Sequence, residues 1–269
     1  MTLELSASNY YSAEANREYM SVSQYKDFAG TYGKLGCEYC AMEKLEGRWQ
    51  EKKTTALLVG SYVDSYFEGS LDTFKAENPE IFKKTGDKGL RAEYIKAEDI
   101  IRRIESDNFF MMCLSGYKQV IMTGELFGAK WKIKIDSYIA DKVIVDLKVM
   151  SSITKHEYVR DVGYLDFVRY WGYDIQGAIY QEIVRQNTGK RLPFYIAAAS
   201  KEEETNIEVI HVTDNFLKDA MSMVEAAMPR ILRVKNGEVK PDRCESCDCC
   251  RYTKVLRNPI TILDLVKDI

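Results

Sequence analysis

The sequence predicts an α/β (α+β) fold: a central mixed sheet flanked by helices, with a helical N-terminal region and a Cys-rich C-terminal segment. Three observations carry this. Helical periodicity fills the first third of the chain, period-two alternation begins after Gly116, and helix, two strands and a final helix then follow. Taken in order, SVSQYKDFAG (21–30), CAMEKLEGRW (40–49), TTALLVGSYVDSYFEG (54–69) and RAEYIKAEDIIRRIES (91–106) read as helices, the last with charge pairs one turn apart. SLDTFKAENPEIFKKTGDKG, between the last two, reads as an irregular connection. YKQVIMTGEL, AKWKIKIDSYI and KVIVDLKVM alternate or run apolar with many β-branched residues, and read as three successive strands. YWGYDIQGAIYQEIVRQNTG is a helix stopping at Gly189, PFYIAAAS and IEVIHV are strands, and NFLKDAMSMVEAAMPRILRV is the closing helix.

A hydrophobic content of 46% over 269 residues excludes a disordered chain and a small disulfide scaffold. No repeat, low-complexity tract or Pro/Gly/Ser linker separates two domains. The chain reads as one domain over 1–269, with a helical part to about 110, a core over about 111–212 and a C-terminal helix with Cys-rich tail over about 213–269. Lys+Arg 38 against Asp+Glu 41 gives a net charge of -3, so a polyanionic partner must meet a local basic track. The N-terminal MTLELSASNYYSAEANREYM has no basic patch followed by an apolar run, and no stretch reaches spanning length. A cytoplasmic location without a membrane partner is the expectation.

Within WKIKIDSYIADKVIVDLKVM, two apolar runs each end in an acid where a core strand should be apolar. Lys132, Lys134 and Asp136 share one strand face, and Asp146 and Lys148 share another. A three-residue loop at 140–142 pairs Ile139 with Val143 and sets Asp136 opposite Asp146, roughly 5 Å apart at Cβ. A two-residue loop at Asp141 and Lys142 sends the acids to opposite faces instead. Two adjacent carboxylates repel unless a proton or cation lies between them, and Mg²⁺ is the simplest cation. Such a centre suits phosphodiester hydrolysis: the ion lowers the pKa of the attacking water and neutralises charge on the phosphate, and Lys148 serves the water or the transition state. The plain alternative is a surface ion pair at strand ends.

Asp136 followed by Asp146-Leu147-Lys148 resembles the motif of the PD-(D/E)xK nuclease superfamily, in its RecB-like branch, and within it the RecE-type phage exonucleases (exodeoxyribonuclease VIII). Gln176-Gly177-Ala178-Ile179-Tyr180 matches that branch's QxxxY helix, and Gly60-Ser61-Tyr62-Val63-Asp64 its GxxxH-like helix, with aspartate in place of histidine. Ser21-Val22-Ser23-Gln24 is similar to its S-x-S helix start, with Ser23 a good N-cap. The resemblance implies a restriction-endonuclease-like core holding Mg²⁺ (or Mn²⁺) on Asp64, Asp136, Asp146 and the Leu147 carbonyl. Lys148 then acts on water, and Gln176 and Tyr180 support the site. Glu68 rivals Asp64 as third acid. It further implies resection of linear double-stranded DNA, 5′ to 3′, by a ring-shaped homo-oligomer working with a RecT-like single-strand annealing partner in phage-type recombination. Lys118, Lys132 and Lys134, with Lys130, Arg48, Lys52 and Lys53 nearby, supply the basic track. A nuclease acting on single strands or flaps, and an inactive DNA-binding module, are the competing readings.

Seven cysteines in a reducing compartment are unsuited to structural disulfides. Cys37 and Cys40 form C-x-x-C, and Cys244, Cys247 and Cys250 form C-x-x-C-x-x-C, with Cys249 as an extra; Cys113 reads as a core residue. Some relatives in the RecB-like branch hold a [4Fe–4S] cluster on one early and three late cysteines. The resemblance therefore implies a cluster on Cys37 (or Cys40), Cys244, Cys247 and Cys250. Zn²⁺ and free thiols are alternatives.

Overall fold

The computed structural model describes residues 3–86 and 89–265, so residues 1–2, 87–88 and 266–269 of the expected 1–269 span lie outside the described residues. The first third is helical: α1 (Ala13–Glu18), α2 (Val22–Ala29), α3 (Glu38–Leu45), α4 (Thr55–Glu68), α5 (Leu71–Glu77), α6 (Ala92–Glu105) and α7 (Asn108–Cys113). The three expected strands follow as β1 (Tyr117–Leu126), β2 (Ala129–Ile139) and β3 (Val143–Met150). A small hairpin, β4 (Glu157–Val159) and β5 (Gly163–Leu165), leads through α8 (Phe167–Tyr170) into α9 (Tyr173–Thr188). Then come β6 (Phe194–Ser200), β7 (Ile207–Val212), α10 (Asp214–Lys235) and α11 (Asp248–Tyr252).

Two expectations need correction. The supposed irregular connection contains α5, which ends at Asn78 because Pro79 opens a separate short turn. Ser21, not Ser23, caps α2: its side chain accepts the Gln24 N–H at 3.3 Å, while Ser23 is exposed.

The large sheet has order β1-β2-β3-β6-β7, antiparallel except for the parallel pair β3–β6. Alternate residues of its central strands feed two apolar layers. Ile144, Phe194, Ile196 and Ala198 pack with α2, α9 and α10, while Val145, Leu147, Ala197 and Ala199 pack with α4, α6 and α7. Gly177 is required for the first layer, since a Cβ there would sit 2.5 Å from the Phe194 ring and 2.9 Å from Leu217. Among the described residues no helix is long and apolar enough to cross a membrane.

The feature that positions the site is a fork. β2 and β3 join through the three-residue loop, with Lys142 N–H donating to the Ile139 carbonyl at 3.0 Å and Asp141 at φ 64°. Their ladder runs Ile139↔Val143, Tyr138↔Ile144, Ser137↔Val145 and stops. Beyond it β3 continues against β6 and β2 against β1. Further along, Met20 fills the edge of β2 that β3 has left: its N–H donates to the Lys130 carbonyl at 2.7 Å and its carbonyl accepts the Lys132 N–H at 2.9 Å.

Candidate active site

Asp136 and Asp146 occupy the next step of the register, where the fork opens. The ladder fails on the other side of Asp136 as well, because Gln119 adopts φ 52° between the pairs Lys118↔Ser137 and Val120↔Ile135. The Asp136 carboxylate bridges to both neighbouring strands. One oxygen accepts the Leu147 N–H at 3.0 Å and the other accepts the Gln119 side-chain amide at 3.3 Å. On β3, Asp146 is 2% exposed, accepts the Gln176 amide at 2.6 Å, and is ion-paired through its second oxygen to Lys148. The Lys148 ammonium also lies 5.1 Å from the centroid of the Tyr173 ring.

Two helices complete the arrangement. α9 presents Gln176 and Tyr180 one turn apart, the Tyr180 hydroxyl donating to the Lys134 carbonyl at 3.0 Å, so that it fixes the β2 arm of the fork. From the opposite layer α4 brings Asp64, whose Oδ1 is buried without a hydrogen-bond partner. No Cβ clash would arise at Gly60, so the glycine of that motif serves no close approach here. Asp64, Asp136, Asp146, Lys148, Gln176 and Tyr180 all line one cleft of about 430 Å³. Glu68 faces a small void beside it, together with Asp64, Lys118 and Asp136, and its carboxylate accepts the Ser70 hydroxyl at 3.2 Å.

The electrostatics follow from this crowding. Burial, and next the Asp146 carboxylate, push Asp136 up to about 7. Burial, then Asp136, holds Asp64 well above the usual carboxylate range. Burial alone would lower the Lys148 ammonium, but Asp146 and Asp136 outweigh it and hold it above its ordinary value. Without a cation Asp64 and Asp136 therefore hold protons more tightly than free carboxyls, and the orphaned Asp64 oxygen has no protein donor. Carboxylate oxygens from β2, β3 and α4 around one cleft fit a hard divalent ion, which would satisfy that oxygen and displace the protons.

The basic track is only partly as expected. Lys134 lines the cleft, its ammonium 4.9 Å from the centroid of the exposed Tyr11 ring. Lys132 is 1% exposed. Its ammonium donates to the Tyr10 carbonyl and to Asn16 Oδ1 at 2.7 Å, which fastens the N-terminal arm to the sheet at the wall of the cleft. Lys118 turns back to the Leu114 carbonyl outside the main cleft. Of the outlying charges, Lys130 pairs with Glu18, Arg48 with Glu43, and Lys53 donates to Asn78. In their place the cleft gains Tyr10, Tyr11, Lys26 and Lys44 from the N-terminal region, which the sequence reading missed. Burial, and next Lys148, bring Lys26 down to about 7. The only hint in the sequence was the Tyr10-Tyr11 pair, which has no periodic neighbour to place it.

The thiols form a second centre. Cys37, Cys244, Cys247 and Cys250 converge with their Sγ atoms all within 4.8 Å of one another, and none of them lines the cleft of the acids. Cys113 is buried in the layer under α4 and α6.

A forked hairpin carrying an acid on one arm and D-x-K on the other, with a glutamine and tyrosine from the following helix behind it, defines the PD-(D/E)xK class of fold. The chain belongs to the family described as PDDEXK-like domain of unknown function (DUF3799), whose model matches residues 21–253. It is similar over its whole length to a crystal structure from Eubacterium rectale of a protein provisionally called an exonuclease, with 68% identity, TM-score 0.97 and 100% of both chains covered. A solved structure of SSO0001 matches at 14% identity and TM-score 0.30 over 72% of this chain and 85% of that one, too distant to carry an argument. No curated protein matches.

Proposed function

We propose that the chain is a metal-dependent nuclease, an exonuclease that hydrolyses DNA from ends. One observation carries this reading: three acids and a lysine converge on a cleft at the fork, one buried acid oxygen lacking any protein donor. In the working site Asp64, Asp136 and Asp146, with the Leu147 carbonyl, hold Mg²⁺ or Mn²⁺. The ion supplies Lewis acidity toward the scissile phosphate and its attacking water. Lys148 stands beside Asp146 to steer that water or to meet charge growing on the phosphate. Gln176 holds the Asp146 carboxylate in position, and Tyr180 holds the backbone of the β2 arm. Asp64 is preferred to Glu68 as third acid because it lines the cleft and has an unmet oxygen.

The finer assignment rests on the resemblance to RecE-type enzymes: resection of linear duplex, 5′ to 3′, by a ring-forming homo-oligomer that hands a 3′ tail to a RecT-like partner. The cleft bears on the substrate as well. A volume of about 430 Å³ suits a few groups of one strand, and Tyr10 and Tyr11 stand at its wall. This favours entry of the cleaved strand unpaired, the geometry shared by end resection and by the rival reading of single strands or flaps.

The deciding experiment is digestion of end-labelled linear duplex, single strand and closed circle, with and without Mg²⁺, using Asp146→Asn and Lys148→Ala as controls. Magnesium-dependent loss of linear DNA that spares circles, abolished in both variants, is expected. Equal cutting of circles would overturn the exonuclease assignment, and retention of activity by Asp146→Asn would overturn the site.

A further inference from the structure

The thiol centre joins segments from opposite ends of the sequence. Cys37 is the N-cap of α3 and Cys247 that of α11, and each sulfur accepts a backbone N–H three residues on, from Cys40 and Cys250, at 3.4 Å. Cys244 accepts the Cys247 N–H at 3.3 Å in the same manner. Such turns aim amide dipoles at sulfur and favour the thiolate. All of these cysteines are free of disulfides. Four thiolates packed this closely repel one another, and a cation among them removes the repulsion.

The resemblance to cluster-bearing relatives would put [4Fe–4S] here, but the spacing of the sulfurs disagrees. Cys37 and Cys250 Sγ are 3.5 Å apart, Cys244 and Cys250 Sγ 4.0 Å, and none of the four is more than 4.8 Å from another. One tetrahedral ion with metal–sulfur bonds of about 2.3 Å sets its ligands roughly 3.8 Å apart. A four-iron cubane separates them by the width of the iron tetrahedron as well, to roughly 6 Å. We infer that Cys37, Cys244, Cys247 and Cys250 form a site for a single tetrahedral thiolate-bound dication of the zinc type, and not for an iron–sulfur cluster. On binding, each thiol releases its proton to solvent and no electron is transferred. Cys40 and Cys249 are buried beside the site and stay outside the ligand set.

The site bears on the cleft through α3, which carries Cys37 at its start and presents Ala41, Lys44 and Leu45 to the cleft further on. The same junction is clamped without metal. Glu38 accepts two bonds from Arg230, at 2.9 and 2.8 Å, and the Asp242 N–H at 2.8 Å, and Tyr39 N–H donates to the Asp242 carbonyl at 3.0 Å. The dication therefore stiffens a wall of the cleft that is already docked, and its loss leaves a folded chain.

The test is elemental and sulfide analysis of the full chain purified in air and anaerobically, followed by exchange with Co²⁺. Roughly one zinc per chain, no labile sulfide, and the intense thiolate-to-cobalt absorption of a tetrahedral site are expected. Cys244→Ser and Cys250→Ser should each lose at least about tenfold in zinc affinity, while Cys40→Ser and Cys249→Ser keep it. About four irons with matching sulfide in the anaerobic preparation would overturn the assignment. So would a wild-type chain that takes up neither zinc nor cobalt, or equal loss in Cys40→Ser and Cys244→Ser. Should a serine variant fail to fold, wild-type stoichiometry and the cobalt spectrum decide alone.

Discussion

The two centres of this molecule, one of oxygens and one of sulfurs, differ in how their ligand atoms are held. At the fork the acids come from β2, β3 and α4 and lie in a cleft, Asp64 and Asp136 with raised proton affinities and Asp64 with an oxygen without a partner. At the chain ends the sulfurs sit in tight turns that already give three of them a backbone N–H. The first arrangement costs stability and leaves room for substrate, as expected where a hard ion must exchange water during turnover. The second is preorganised and has the character of a fastening.

Substitutions can break or sharpen this contrast. The largest effect is expected of Asp146→Asn, a loss of Mg²⁺-dependent cleavage on the order of 10³-fold with zinc content unchanged. A matching loss of zinc would show that the centres are not independent. Lys148→Ala should cost about 10²-fold in rate while leaving Mg²⁺ affinity, read by calorimetry, nearly intact, since the lysine acts on the reaction and not on the ion.

The third expectation concerns pH. The folded-state value of Asp136, about 7, lies above the unfolded value, so the group contributes stability that is fully present in acid and is lost as pH rises through the folded value. Without metal, the melting temperature should fall between about pH 4 and neutrality. Asp136→Asn should flatten that fall and melt several degrees higher at pH 8. Saturating Mg²⁺ should raise the wild type there and leave the variant unmoved. Smallest is Lys132→Met, which leaves the Tyr10 carbonyl and Asn16 without their donor. A loss of about 1–3 kcal/mol, with faster proteolysis of the segment before α1, is expected.

The hairpin was legible because strand periodicity is a local property, and the three-residue loop, one of the two the sequence allows, sets which side chains meet; the parting of the strands at Asp136 and Asp146, expected as a direct pair, was not legible. That Gln176 supports the site followed from motif order, whereas its bond to Asp146 is seen only in the structure. What local pattern could not supply was the cover over the sheet. Lys132 was assigned to the basic track, yet Tyr10 and Asn16, more than a hundred positions earlier, bury it. For the same reason Lys26 and Lys44 gave no sign of reaching the cleft. β4 and β5, of three residues each, are too short to show a period, and the polar sequence of α5 masked a short helix.

Gln119 holds a left-handed backbone that costs an L-residue about 1–2 kcal/mol, and its amide steadies Asp136. Glycine would relieve the strain and abandon the carboxylate. Selection for heat resistance alone should drift toward glycine at this position, whereas selection for phosphodiester chemistry should keep a side-chain donor. The residue found there in homologues would thus tell working copies from decayed ones.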